Sequence, residues 1–271
     1  MKKLILLLLF IPFVFGCSDD VKNNLDKQNL NGNVESLKQI KYGVIEKFGE
    51  VYKDKSNILI GLNTSYISKF NRKGYETERK MYSDVNTFYL ITKYEYDNKN
   101  LRIERRDFSE YEAVPVTEKS PLMHRIVYKY DEEGNLIQSE GFNEEGAQYF
   151  YKYKYFDNEN KMEQMLYLIN GKRIEGDIYK YDDIGNVIEK SNYKTEGLLE
   201  TKSSYKFNDD GNLIEELYEN FENYIRYGDV KRKIQKFKYE KFDSENNWLK
   251  QIVFEDGKAL EISERTIKYY D

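Results

Sequence analysis

The sequence predicts an all-β fold: an antiparallel array of β-hairpin repeats, drawn out as an elongated meander sheet or stacked in a β-solenoid-like way. Three observations predict it. A short pattern closing on glycine or asparagine recurs with a period of about 26 residues, within the range of stacked repeat architectures. Hairpin signals such as Asn170-Gly171 and Asp256-Gly257 fall midway between those closures. The segments between turns alternate aromatic and charged residues with the period of two that a strand requires.

The closures read KFNRKGYETE around Gly74, YEYDNKNLRIE around Asn100, YKYDEEGNLIQ around Gly134 and YKYFDNENKME around Asn160. YKYDDIGNVIE around Gly185, YKFNDDGNLIE around Gly211 and YEKFDSENNWLKQ around Asn246 or Asn247 follow, and a final IKYYD has the look of one more first strand. Asp182, two free residues and Gly185 suit a type I turn whose fourth residue takes the left-handed conformation of a bulge. Asparagine is the side-chain-bearing residue that best tolerates that conformation, which explains Asn100 and Asn160 in the slot. With Asn143 to Gly146 and Thr195 to Gly197 as further mid-repeat turns, each repeat is two strands and two tight turns. Tyr179 and Tyr181 then share one face, and Lys180 and Asp182 the other.

Before the repeats, Lys2 and Lys3 precede an apolar run from Leu4 to Phe15. A bilayer-spanning helix needs roughly 20 apolar residues, so this run fits the core of a signal peptide, residues 1–16. Val14-Phe15-Gly16-Cys17 resembles a bacterial lipobox, which makes Cys17 the expected lipidation site and new N-terminus. Cys17 is the only cysteine, which excludes a disulfide within the chain. Residues 17–30 are polar enough to be read as a flexible tether, and Ser18-Asp19-Asp20 resembles a lipoprotein surface-export signal. Residues 31–271 form the β domain. Within it Val34 to Val51 stays open: Ile40, Tyr42 and Val44 alternate as in a strand, while Val34, Leu37 and Lys41 fit a helix.

From roughly residue 66 to 271 the repeats resemble YD repeats, the RHS-type repeat, and the lead-in GNVESLKQIKYGVIEKFGE is similar to that of Bacteroidetes lipoproteins of this kind. In large members of that family long arrays curl into hollow β-shells around a toxin segment. About seven copies are expected to be too few for such a shell.

Composition narrows the chemistry. The net charge of −5, with lysines scattered among acids, gives no electrostatic footprint for nucleic acid. His124 is the single histidine, which rules out a histidine metal cluster by count; it follows a proline-containing loop with no cysteine to partner it, and no catalytic triad or dyad is read around it. The acidic turns Asp131-Glu132-Glu133 and Asn208-Asp209-Asp210 lack the alternating ligands of a calcium loop and are explained as turns. No metal or cofactor is expected, and no carboxylate pair stands out for glycoside hydrolysis.

The tyrosines remain. Tyr128, Tyr130, Tyr153, Tyr155, Tyr179, Tyr181 and Tyr205 recur in register from repeat to repeat, either as cross-strand glue or as an exposed ladder for a glycan or protein partner. The expected function is therefore a non-enzymatic repeat scaffold for binding or display, lipid-anchored in the outer membrane and surface-exposed, with periplasm-facing attachment as the alternative. The competing reading is a carboxylate-dependent hydrolase of envelope or host glycans.

Overall fold

The computed structural model describes residues 23–60, 64–84, 87–109, 116–117, 119–156, 160–195, 197–222 and 230–271. The expected signal peptide, Cys17 and Ser18-Asp19-Asp20 lie outside the described residues. A short helix, α1 (Asn24–Lys27), precedes β1 (Val34–Lys47), β2 (Glu50–Ile58), β3 (Tyr66–Phe70), β4 (Glu76–Tyr82), β5 (Phe88–Tyr96) and β6 (Arg102–Phe108). Then come β7 (Leu122–Tyr130), β8 (Leu136–Asn143), β9 (Gly146–Phe156), β10 (Lys161–Leu168), β11 (Arg173–Tyr181) and β12 (Val187–Lys194). The last five are β13 (Leu199–Phe207), β14 (Leu213–Asn220), β15 (Lys231–Phe242), β16 (Trp248–Glu255) and β17 (Lys258–Tyr269).

These strands close on themselves. From β3 to β17 each pairs antiparallel with the next, and β1 joins the two ends. Its Leu37 and Gln39 lie opposite Ile267 and Arg265 of β17 on one side, and opposite Ser68 and Tyr66 of β3 on the other. The result is a closed antiparallel barrel of 16 strands, with β2 a side hairpin on the far half of β1, where Ile45 faces Tyr52. The expected open meander or β-solenoid-like stack is thereby overturned. An open array leaves two edges of unpaired N–H and C=O groups. The 14-residue β1, a strand from the region that alternation alone left open, satisfies both.

The turns form as their residues dictate. Gly74, Asn100, Gly134, Asn160, Gly185, Gly211 and Asn246 all adopt the left-handed conformation, with φ between 45° and 90°. In the closure after β11, Asp182 accepts from the backbone N–H of Ile184 (3.1 Å) and Asn186 (2.7 Å), and the Gly185 N–H returns to the Asp182 carbonyl at 3.0 Å. The bulge shifts the register: Lys180 faces Glu189, but Tyr181 faces Val187.

All seven closures gather at one mouth of the barrel, together with both ends of the described chain. Residues 23–31 cross that mouth. On one side the Leu25 N–H donates to the Gly74 carbonyl (3.2 Å) and the Tyr96 hydroxyl to Asn24 Oδ1 (3.1 Å). On the other, Asn29 Nδ2 donates to the Asp210 carbonyl (3.0 Å) and the Asn31 N–H to Asn247 Oδ1 (2.8 Å). Asn23 and Asp26 form a capping box on α1, and Leu25 and Leu30 are buried. The expected tether is thus corrected for residues 23–30, whose two leucines and capping pair dock them as a plug.

Candidate functional site

Register carried around the ring assigns every strand residue to the lumen or the outside. Tyr155 lies opposite Met162 and Met162 opposite Tyr179, so these three share a face; Tyr153, Gln164 and Asp177 share it too. That face is the inner one, because Tyr66 of β3 and Phe207 of β13, far apart around the ring, line a single cavity. The structure brings Tyr128, Tyr130, Tyr153, Tyr155, Tyr179, Tyr181 and Tyr205 together on the inner wall. A barrel of this strand number encloses a lumen too wide for side chains to fill, which is why most of these rings are only half-buried.

Their roles divide. The Tyr130 hydroxyl donates to the Arg102 carbonyl on the neighbouring strand at 2.8 Å, and Tyr96 and Tyr239 do the same to Glu76 and Leu213 at 2.7 Å. Tyr96, Tyr130 and Tyr239 are therefore struts just past the preceding closure, whereas the Tyr181 hydroxyl turns to Met162 Sδ. Other phenols face polar partners in the lumen: Tyr153 meets Ser139 (3.0 Å), and Tyr179 donates to Asp177 (3.1 Å). Burial raises the Tyr179 and Tyr130 phenols, and it pushes Tyr151 and Tyr155 up to about 12. Lys190 also lies inside, 3.2 Å from Asp177 and over the Tyr179 ring, because the bulge at Val187 reverses the facing that simple alternation gives it.

The outer wall is of opposite character. Ion pairs link strand to strand around it: Lys69–Glu78, Arg125–Glu104, Lys129–Glu140, Lys180–Glu189, Arg232–Glu219 and Lys250–Glu240, all between 2.8 and 3.0 Å. Glu240, bonded by Lys238 and Lys250, is held down at about 2. A lipid-facing barrel surface instead carries an apolar band, and charge at its midplane is destabilising. The outer wall carries charge at these mid-strand positions, while Ile103, Ile137, Ile188 and Ile214 are exposed beside the closures.

Two cavities lie beneath the plug. One, of about 440 Å³, is lined by Tyr96, Tyr128, Tyr130 and Tyr155 with Arg102, whose guanidinium sits 4.3 Å from the Tyr94 ring centre. The other, of about 690 Å³, has Gln39, Tyr239, Trp248, Gln251 and Arg265 on its walls. Arg265 lies 3.5 Å above the Trp248 ring, and its Nε donates to Gln39 Oε1 at 3.0 Å. Sequence reasoning misses Arg102, Trp248 and Arg265: the first two lie in closure motifs read only as turns, and Arg265 lies in none. The one available signal is parity: Ser263, Arg265 and Ile267 alternate on β17, which puts a guanidinium on the inner face.

No family model matches the chain, and no curated protein matches it in sequence. Among solved structures the chain is similar to a porin-like protein from Bacteroides uniformis, with 9% sequence identity, 88% of this chain and 99% of that chain covered, and a TM-score of 0.51. The fold is shared. Part of the complex TcdB2-TccC3-Cdc42 also aligns, with 11% identity over 82% of this chain and 11% of that one, at a TM-score of 0.33.

Proposed function

We propose that this protein is a non-enzymatic, lipid-anchored barrel of the cell envelope, built from YD-type repeats, that binds an extended glycan or protein segment in its lumen. One observation carries the reading: the repeat places its recurrent ladder tyrosines inside a closed ring and most of its cross-strand ion pairs outside. Such a barrel stands in water and offers its amphipathic rings to a ligand instead of to lipid. The barrel likeness to a porin-like protein supports an envelope setting. Lipidation of Cys17 holds it there.

Anchoring fixes an orientation. Six residue steps separate Cys17 from Asn23 at the plugged mouth, at most about 20 Å of extended chain. The plug therefore faces the membrane, and ligand enters from the opposite mouth. Cells expressing the full chain are labelled with a fatty-acid analogue, and isolated membranes are then cut by a protease between Cys17 and Asn23. Label lost in Cys17→Ala, with the cut barrel released into the supernatant, is the expected result. A cut barrel that stays in the membrane pellet refutes the water-exposed reading, and hydrolysis of a glycan by the intact protein refutes the non-enzymatic one.

A further inference from the structure

Buried polar groups in folded proteins are almost always hydrogen-bonded. Among the described residues five buried side-chain polar atoms have no hydrogen-bond partner, and two of them, Gln28 Oε1 and Arg265 Nη1, belong to residues lining the same cavity beneath the plug. A third, Ser263 Oγ, lies on the same face of β17 as Arg265. Arg265 is the sharpest case. Its guanidinium lies over the Trp248 ring, with Nε bonded to Gln39 and a further bond to the Tyr66 phenol. No carboxylate lies among these partners. Burial without an acidic neighbour pulls Arg265 down to about 10, so it stays charged at neutral pH. A buried cation without a counter-ion destabilises the fold, and an apolar replacement of similar size is often neutral or stabilising.

The surroundings state what the missing partner is. The nearby cation Lys41 is already paired with Glu261 at 2.6 Å, so the buried cation without an acidic partner is Arg265, a single charge that suits a monoanion better than a phosphate. Asp26, Asp209 and Asp210 also line the cavity, with Lys27 beside Asp26, and the three carboxylates disfavour a multiply charged anion. The same cavity is lined by the rings of Tyr239 and Phe207 and by the amide of Gln251, the kind of lining that meets a hydroxylated ring. We propose that Arg265 is the anchor for the carboxylate of an acidic sugar, accepted in the lumen beneath the plug, with Gln251 and Tyr239 meeting the sugar body. This rests on the lumen-binding reading and adds its ligand class.

Trp248 is the only tryptophan of the chain and touches the anchor, so its fluorescence reads the site directly. The full chain is titrated with oligogalacturonate, with the same oligomer after its carboxylates are reduced to alcohols, and with sodium sulfate. We expect the oligogalacturonate alone to shift Trp248 emission. Arg265→Met should weaken it by about 10-fold to 100-fold, the loss of a charge-assisted bond. The same variant should melt no lower than the parent, whereas the outer-wall control Arg232→Gln should leave binding unchanged and shift melting only slightly. A lower melting temperature for Arg265→Met makes the arginine structural and overturns the proposal. Equal binding of the reduced oligomer, or a response to sulfate alone, overturns the acidic-sugar assignment and leaves lumen binding standing. If no glycan or protein segment binds even by calorimetry, the lumen reading falls with it.

Discussion

At the seam, where β16, β17, β1, β3, β4 and β5 adjoin, Leu37, Ile91, Val253 and Ile262 are each no more than 2% exposed, and the plug adds Leu25 and Leu30. In the repeat wall from β7 to β15 no hydrophobic side chain among the described residues is buried to that class; the wall is held by ladder hydrogen bonds, phenol struts and ion pairs. The two halves solve one problem differently. Repeated hairpins make a regular wall but no core, so closure is stabilised where the non-repeated lead-in strand meets the two ends of the array. The half with least burial is also the half with most accessible tyrosine surface, so stability and binding surface are carried by different residues.

Alkali should separate the halves most strongly. Tyr94, Tyr151 and Tyr155 are pushed up to about 12 by burial, and Tyr130 and Tyr179 are raised as well, against about 10 in the unfolded chain. Between those values the folded state holds protons that the unfolded state has released, so their contribution is complete below pH 10 and is lost as pH rises toward 12. Arg265 acts in the opposite sense over the same range, but it is one group against many. Most of these phenols lie in the repeat wall, while Trp248 marks the seam. Phenolate absorbance should therefore rise at lower pH than the change in Trp248 emission; coincident transitions would erase the distinction between the halves.

Leu37→Ala comes next. At 0% exposure in the seam it should lose about 2–5 kcal/mol, the cost of an unfilled core cavity. Leu166→Ala, at a half-buried lumen position of β10, should lose less than half as much in denaturant melts. Equal losses would show that the repeat wall has a core after all.

How much of this was legible follows the same division. The seven closures could be placed from Asp, Gly and Asn alone, because a left-handed slot is a local demand that few residues meet. The closed ring could not, because it depends on pairing between strands at opposite ends of the chain, and β1 carries no repeat motif. The tyrosine faces were legible wherever alternation ran unbroken, and failed at Lys190, just past a bulge that shifts the register. Arg265 and Trp248 were hidden for a further reason: their importance lies in what they lack and in whom they touch, neither of which a spacing reveals.

The smallest effects test the repeat wall itself, and the comparison there is between a turn and a surface. Gly185 has φ +82°, a conformation that disfavours a β-branched side chain, so Gly185→Val should lose about 1–2 kcal/mol and loosen the closure between β11 and β12. Arg232, on the outer wall of β15, pairs with Glu219 at 2.8 Å but keeps 62% of its side chain exposed. Solvent screens such a pair, and Arg232→Gln should change stability by no more than about 0.2–1 kcal/mol. Both variants are read in the same urea melts, with the parent as reference. If the wall were held mainly by its ion pairs, the arginine substitution would match or exceed the glycine one. A larger loss at Gly185 assigns the wall to its backbone closures and not to its charged exterior.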